Sequence, residues 1–420
     1  MTRWPAHGSK TMPWKSSGRP PREDREFSEV VVSLPPLIAG SWFDPGRETI
    51  VALEEAAVAI ASLDVTAGTR MAAISGFLLR SEAVSSSKIE HVNANRDDYA
   101  RAMIGLKASD DARSMVAAAD AVQGMIDDAG RTGEIRLEAM LAAHHTLMKD
   151  DPMDGPHAGR LRDVQNWIGG SDHSPRGAIH VPPPPELVPD LMEDLMVFCN
   201  RRDVPIMAQA AIAHAHFESI HPFTDGNGRI GRALIGAISR RRGLTKNTVT
   251  PIASAMVADV DTYFSLVNNY RSGDADPFVL YLARSAVRAS DAARESVAAL
   301  DALPAMWLEL ARPRRGSADE KIIPWLLERP VFEAHSAAHI AGVAESSVYA
   351  ALQRLSTAGV ITPVTQSKRS RAWAATEVLD EVDRLNNRLA DVGKAGRPGT
   401  EPEPAAGPQG AAEGLDLHAG

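Results

Sequence analysis

The segment HPFTDGNGRIGR, residues 221–232, constrains this chain more than any other stretch. Ahead of it, residues 204–219 set Ile206, Ala210, Ala213 and Phe217 on one helical stripe. Behind it, Ile230, Ala233, Leu234, Ala237 and Ile238 form a second stripe. Two apolar helices joined by a tight Gly-Asn-Gly turn follow from that pattern. Gly226, Asn227 and Gly228 reach turn geometries that other residues resist, and they expose consecutive backbone N–H groups. A helix starting near Gly228 adds its own unpaired N–H groups and positive end. Arg229 and Arg232, three apart, share a face of its first turns. The result is a cradle for a ligand bearing several phosphates. Asp225 is a hard oxygen ligand suited to Mg²⁺ bridging phosphates, and His221 is placed to take a proton from an attacking hydroxyl. Phe223 anchors the loop in the core.

The flanking text is Ala-rich and predominantly helical in period. Helices are expected over 50–64, 69–92, 97–128, 136–148 and 187–200. A non-helical island spans 159–185, where Ala178, Ile179, His180 and Val181 read as one arm of a small hairpin stopped by prolines. From Arg312 onward, helices over 321–327, 336–341 and 345–358 precede strands at 360–364 and 372–374 around a basic bend, a winged-helix pattern. Residues 1–28 and 389–420 are expected to be disordered, from their polar, proline-bearing text. The chain thus divides into 1–28, a helical region 29–150, a core 151–311, a winged-helix unit 312–388 and a tail 389–420.

With 420 residues the chain holds two or three packed units. Its net charge of −9 argues against a surface that coats nucleic acid throughout. Cys199, the single cysteine, excludes an internal disulfide framework and cysteine-rich metal sites, and suits a reducing compartment. No export signal or membrane-length apolar run is present, so a soluble, cytoplasmic protein without a membrane partner is expected. His144 and His145 read as helical core residues. His214 and His216 point to opposing sides of a helix, which disfavours a zinc site with His221. Trp167 beside Gly169 and Gly170 reads as a large buried ring next to a tight turn.

His221-Pro-Phe-Thr-Asp225-Gly-Asn-Gly-Arg229-Ile-Gly-Arg232 is similar, without a departure, to the HxFx(D/E)GNGRxxR signature of the Fic family. The stretches GRLRDVQNWIGGS, AIHVPPPPELVPDLM and IAHAHFESI, and LPPLI near Leu34, resemble the same family over about residues 30–290. The resemblance implies an all-α Fic core with a small β-hairpin flap, accompanied here by a C-terminal winged helix. It also implies transfer of AMP from ATP to a Ser, Thr or Tyr hydroxyl of a protein target, with Mg²⁺ as cofactor. In that scheme His221 is the general base and Asp225 holds Mg²⁺. Gly226, Asn227 and Gly228 meet the α-phosphate, while Arg229 and Arg232 meet the β- and γ-phosphates. The segment Ala178, Ile179, His180 and Val181 is the flap on which a target segment adds as a strand. Asp259, Tyr263, Asn268 and Tyr270 lie in the region from which the family lines its base pocket.

Upstream, Ser85-Ser86-Ser87-Lys88-Ile89-Glu90 resembles the family's inhibitory motif (S/T)xxxE(G/N), with Ser86 first and Glu90 as the acid. The resemblance implies that Glu90 pairs with Arg232 and occupies the γ-phosphate position, since one guanidinium fork cannot serve both anions. His91 stands where the family has Gly or Asn, a departure that leaves open whether its bulk tilts the helix or loosens Glu90, with inhibition by Glu90 still the expectation. In the winged helix, Gln353, Arg354 and the SKRSR bend are available to a DNA backbone, and protein docking is an equal reading. A homodimer is a further partner that such helices would support. The competing functions are a nucleotide-sensing DNA-binding regulator, removal of AMP assisted by Glu90, and a different phosphate-containing donor. The Arg229 and Arg232 pair favours a triphosphate.

Overall fold

The computed structural model describes residues 4–16, 18–66, 71–365 and 371–395. At its centre lies α8 (Ile206–Ile220), buried at every residue from Met207 to Ile220. A helix buried on all sides can only sit where other helices surround it. Here α2 (Arg47–Thr66), α7 (Val188–Asn200), α9 (Asn227–Arg241) and α12 (Asp276–Ala311) do so. α9 in turn packs on α5 (Asp110–Thr132), which carries α6 (Leu137–Met148) on its flank. The short loop from α8 to α9 therefore emerges between two deeply buried helices.

α3 (Met71–Ile89) lies against α5 and α10 (Ile252–Val257) and reaches the start of α9. The single helix expected over 97–128 is two, α4 (Arg96–Met103) and α5. Gly105, at φ 70°, turns the chain between them, and the Ser109 hydroxyl caps α5 by accepting from the Ala112 N–H at 3.2 Å. Asp98 accepts from the Ser109 N–H at 3.1 Å and fixes the angle between the two helices.

The N-terminal segment, expected to be disordered, is built into the molecule. β1 (Gly8–Pro13) pairs antiparallel with β2 (Glu29–Leu34), and α1 (Arg22–Glu26) lies between them. Trp4 is buried against Phe43, Phe198 and Tyr270. A polar strand gains order when a partner strand and one deeply set aromatic ring hold it, and neither contact is visible in the composition of the segment itself.

Beyond α11 (Val260–Arg271) and α12 comes a compact unit of α13 (Ala318–Trp325), β3 (Val331–Glu333), α14 (Ala334–Ala341), α15 (Glu345–Thr357), β4 (Thr362–Pro363) and β5 (Ala372–Ala374). Its antiparallel sheet runs β3-β5-β4, so β3 makes it three-stranded where two strands were expected. The arrangement is winged-helix-like. Most of the basic bend, 366–370, lies outside the described residues. The tail expected from 389 begins later, because α16 (Thr376–Ala395) continues through that position with Leu385 and Leu389 buried; 396–420 lie outside the described residues. α16 folds back onto α12 and α3. There Ser85 Oγ donates to Asn386 Oδ1 at 3.0 Å, and Arg96 and Lys88 meet Asp380 and Asp383 at 2.6 and 3.4 Å. Among the described residues no helix is long and apolar enough to cross a membrane.

Candidate active site

The loop after α8 is held from four directions. His221 ends the helix in the left-handed region, φ 50°, with its N–H on the Phe217 carbonyl at 2.8 Å. Gly226, φ 74°, caps the start of α9, where a side chain would crowd Leu147 and Met148. Phe223 is buried beneath the loop, and His144 of α6 stacks on it at 3.8 Å with the rings 5° from parallel. The Gly159 N–H donates to His144 Nδ1 at 2.9 Å, so the ring proton sits on Nε2 and is donated to the Asp225 carbonyl at 3.0 Å. Burial pushes the His144 imidazole down to about 4, which keeps that tautomer neutral. The expectation of a satisfied core histidine is met, with the added role of fixing the loop.

Asn227 braces the loop from within. Its Oδ1 accepts from the Phe223 N–H at 2.8 Å and its Nδ2 donates to the Phe223 carbonyl at 2.9 Å. One amide hydrogen and one carbonyl lone pair are thereby used on the loop's own backbone, and a second amide hydrogen remains.

Arg162, which the sequence reading did not single out, ties the loop to the segment beside it. Its guanidinium donates to the carbonyls of His221, Val164, Pro183 and Ile220 at 2.8, 3.0, 2.6 and 3.3 Å, and its backbone N–H donates to Pro222. Burial among carbonyls lowers its pKa to about 10. The only signal for it was its place inside GRLRDVQNWIGGS.

Burial, with Arg162 and Arg271 adding to it, pushes the His221 imidazole down to about 3, so its neutral, proton-accepting form prevails. Glu218, one turn earlier, has its carboxylate 4.0 Å from His221 Nδ1 and 3.9 Å from His214 Nδ1, and burial raises it to about 7. Asp225 projects outward at the loop's edge, 3.6 Å from Arg229. Arg229 donates to Ser114 Oγ of α5 at 2.7 Å, whereas Arg232 turns toward α3, so the two arginines flank the loop on different sides. Among the described residues there is no cluster of three or more His, Cys, Asp and Glu fit to hold a metal. Asp225 as a lone, outward carboxylate fits a Mg²⁺ bound chiefly through a nucleotide's phosphates.

The contact between α3 and α9 is the most specific feature of the site. Arg232, fully buried, donates Nε to Ser86 Oγ at 2.8 Å, and Nη2 to the Ser86 carbonyl at 2.9 Å and to Glu90 Oε1 at 2.7 Å. Burial opposes ionisation of Glu90, but Arg232, with Arg229 and His221, holds it below the usual carboxylate range. The carboxylate lies over Gly228, where a Cβ would meet Oε1 at 1.9 Å.

What aims Glu90 is the end of α3. The His91 N–H bonds the Lys88 carbonyl at 3.1 Å and the Val92 N–H bonds the Ser87 carbonyl at 3.0 Å, a Schellman closure that makes Glu90 the C-cap. His91 then takes φ 61°, the left-handed position where glycine or asparagine costs least. In this conformation the His91 side chain is exposed and the closure is intact.

The remaining expected residues divide. Ile168 and His180 form one antiparallel bridge, with Ile179 69% exposed and His180 buried, its Nε2–H donating to the Ser219 carbonyl at 3.0 Å. The Val181 carbonyl accepts from the Ser33 N–H of β2 at 2.8 Å, and Trp14 of the N-terminal segment packs edge-on to Trp167. Trp167 is half-buried, less than its size led one to expect. A groove of about 420 Å³ lined by Gln165, Trp167, Gly170, Asp172 and Thr224 opens beside this segment. His214 and His216 bond Tyr263 and Tyr270 through their phenol oxygens at 2.9 and 3.0 Å, which accounts for all four as core pairs. In the winged-helix unit, Arg354 pairs with Asp319 at 2.9 and 3.0 Å while its side chain stays 55% exposed.

Residues 134–238 match the model of the Fic/DOC family. Over 138 residues the chain is 35% identical to a protein adenylyltransferase Fic of Nematostella vectensis, covering 32% of this chain and 29% of that protein. Over 155 residues it is 30% identical to the protein adenylyltransferase fic-1 of Caenorhabditis elegans, covering 36% and 27%. The match thus spans less than a third of these relatives' length. A Fic family protein from Desulfovibrio desulfuricans G20 has the same fold, with a TM-score of 0.51 and 21% identity over 79% of this chain and 98% of that one. The loop, its signature and its supporting helices α6, α7 and α8 all lie inside the segment that matches the Fic/DOC family.

Proposed function

We propose that the chain is a protein adenylyltransferase, moving AMP from ATP·Mg²⁺ to a Ser, Thr or Tyr hydroxyl of a protein target, and that the conformation described is its self-restrained form. The observation that carries the reading is the 2.7 Å contact of Glu90 with Arg232 above Gly228. A carboxylate there occupies the position where a terminal phosphate would meet the same guanidinium.

In the released form, the neutral His221 imidazole accepts the proton of the target hydroxyl. The hydroxyl oxygen forms a bond to the α-phosphorus as the bond to the pyrophosphate oxygen breaks. The backbone N–H groups at Gly226 and Gly228 and the start of α9 stabilise the charge that develops on the α-phosphate. Arg229 and Arg232 neutralise the leaving pyrophosphate. Asp225 would hold Mg²⁺, which screens charge between phosphates. Asn227 contributes by fixing the turn through Phe223. The groove beside Trp167 and Thr224, with Ile179 at its edge, is where we place the target segment. A cytoplasmic setting suits the lone, buried Cys199 thiol.

The test uses ATP labelled on the α-phosphate, with Mg²⁺ and with cell lysate as a source of targets. Strong covalent labelling by Glu90→Gly, weak labelling by the unaltered chain and none by Glu90→Gly with His221→Ala support the reading. Equal labelling by the unaltered chain and Glu90→Gly removes the restraint and keeps the transferase. Absence of label in all three, with folded protein, sinks the transferase reading.

A further inference from the structure

The face of α3 turned away from Ser86 and Glu90 carries Arg80, Val84 and Lys88 at every fourth residue. They line a cavity of about 50 Å³ closed by Arg96 and Tyr99 of α4, Met115 of α5, and Leu379 and Val382 of α16. That volume exceeds several-fold the roughly 10–15 Å³ that one water needs.

The charges in this cavity do not balance. Lys88 and Arg96, at its rim, are answered by Asp383 and Asp380 of α16. Arg80, deeper in, has no carboxylate within ion-pair distance among the described residues, and its Nη2 is sealed from solvent without a hydrogen-bond partner. Its guanidinium folds back along its own helix over Gly76, where a Cβ would stand 3.2 Å from Nη1. Burial lowers its pKa, yet a guanidinium does not give up its proton at any pH a protein tolerates. Arg80 as a whole is half-buried, but a charged donor atom sealed from water without an acceptor is unfavourable, and an anion is the usual remedy.

We propose that this cavity between α3, α4 and α16 binds a small tetrahedral oxyanion of the phosphate class. Arg80 supplies a planar fork, Lys88 and Arg96 supply rim donors that an incoming anion would share with Asp383 and Asp380, and Val84, Leu379 and Val382 form the apolar wall. The ion would join α3 to α16 from behind, on the helix that carries Glu90.

Calorimetric titration of inorganic phosphate, and of glycerol 3-phosphate in parallel, into the full chain at constant ionic strength tests this. One equivalent should bind, at least about tenfold more weakly in Arg80→Met and about threefold more weakly in Lys88→Gln. Lys88 is partly exposed, so its variant keeps the test open if Arg80→Met does not fold by circular dichroism. Phosphate held in the loop of α9 would be indifferent to both variants. Tighter binding of glycerol 3-phosphate identifies a phosphomonoester as the ligand, and tighter binding of inorganic phosphate identifies the free ion. No binding by the unaltered chain, or binding unchanged in the folded variants, overturns the proposal.

Discussion

His91 offers a way to test the aim of Glu90 without touching the site. Its side chain is exposed, and its backbone alone contributes, through φ 61° and the closure on Lys88 and Ser87. Histidine tolerates the left-handed region, whereas a β-branched residue there is a genuine outlier; His91→Val should add about 1–2 kcal/mol to the cost of the closed helix end. The contact being held, a charge-assisted hydrogen bond at 2.7 Å from a carboxylate still 34% exposed, contributes about 1.5–3 kcal/mol. Valine therefore removes much of the margin, and AMP transfer should rise about 5- to 30-fold, staying below Glu90→Gly. His91→Asn, which also tolerates φ above zero, should stay near the unaltered level. The assay is labelling from α-labelled ATP, with melting temperatures to confirm folding. If His91→Val labels no more than the unaltered protein while Glu90→Gly is strongly active, the helix closure does not aim Glu90 and the reasoning fails.

Other perturbations read different parts of the same site. Arg162→Met strips donors from four carbonyls and should cost about 3 kcal/mol, together with transfer in the Glu90→Gly background; an unchanged melting temperature would count against it. His144→Phe keeps the stack on Phe223 but abandons the Gly159 N–H and the Asp225 carbonyl, so about 1–3 kcal/mol of stability and much of the transfer should be lost. Burial lowers His7, His214, His216 and His221 from 6.5 to about 3 and His144 to about 4. Between those values and 6.5 the unfolded chain binds more protons, so these groups withdraw stability as pH falls through that window. Glu82 and Glu218, raised to about 7 by burial, act in the opposite sense from 7 down to 4.5, but they are fewer. Thermal melts should therefore show a fall between about pH 6 and 4.5; a flat or rising profile would refute the assignment of neutral buried histidines.

The loop was legible because its constraints are local. Glycines at a turn, an arginine spacing of three and flanking apolar stripes all fall within forty or so residues of chain, and they carry their geometry with them. Glu90 was legible by position, through its motif, but its orientation was not: that depends on backbone closure at His91. Arg162 was missed because its partners are carbonyls scattered from Val164 to His221, and carbonyls leave no trace in sequence. The break at Gly105 carried a signal, Ser109 ahead of Asp110 and Asp111, that helical periodicity on both sides masked. β1 gave none, since its order comes from β2 and from the burial of Trp4. Asn227 shows what spacing alone does not reveal, that its amide also ties the two ends of the turn together through Phe223.

The pairing of Glu90 with Arg232 also has a direction in time. The two residues are 142 positions apart, with the carboxylate on the earlier side. A ribosome therefore delivers α3 before it delivers the loop, and no nascent chain can present the loop without the carboxylate already made. α16, which meets α3 from residues roughly three hundred positions later, arrives last. Translation thus yields the restraint first, the phosphate cradle second and the helix behind the restraint at the end.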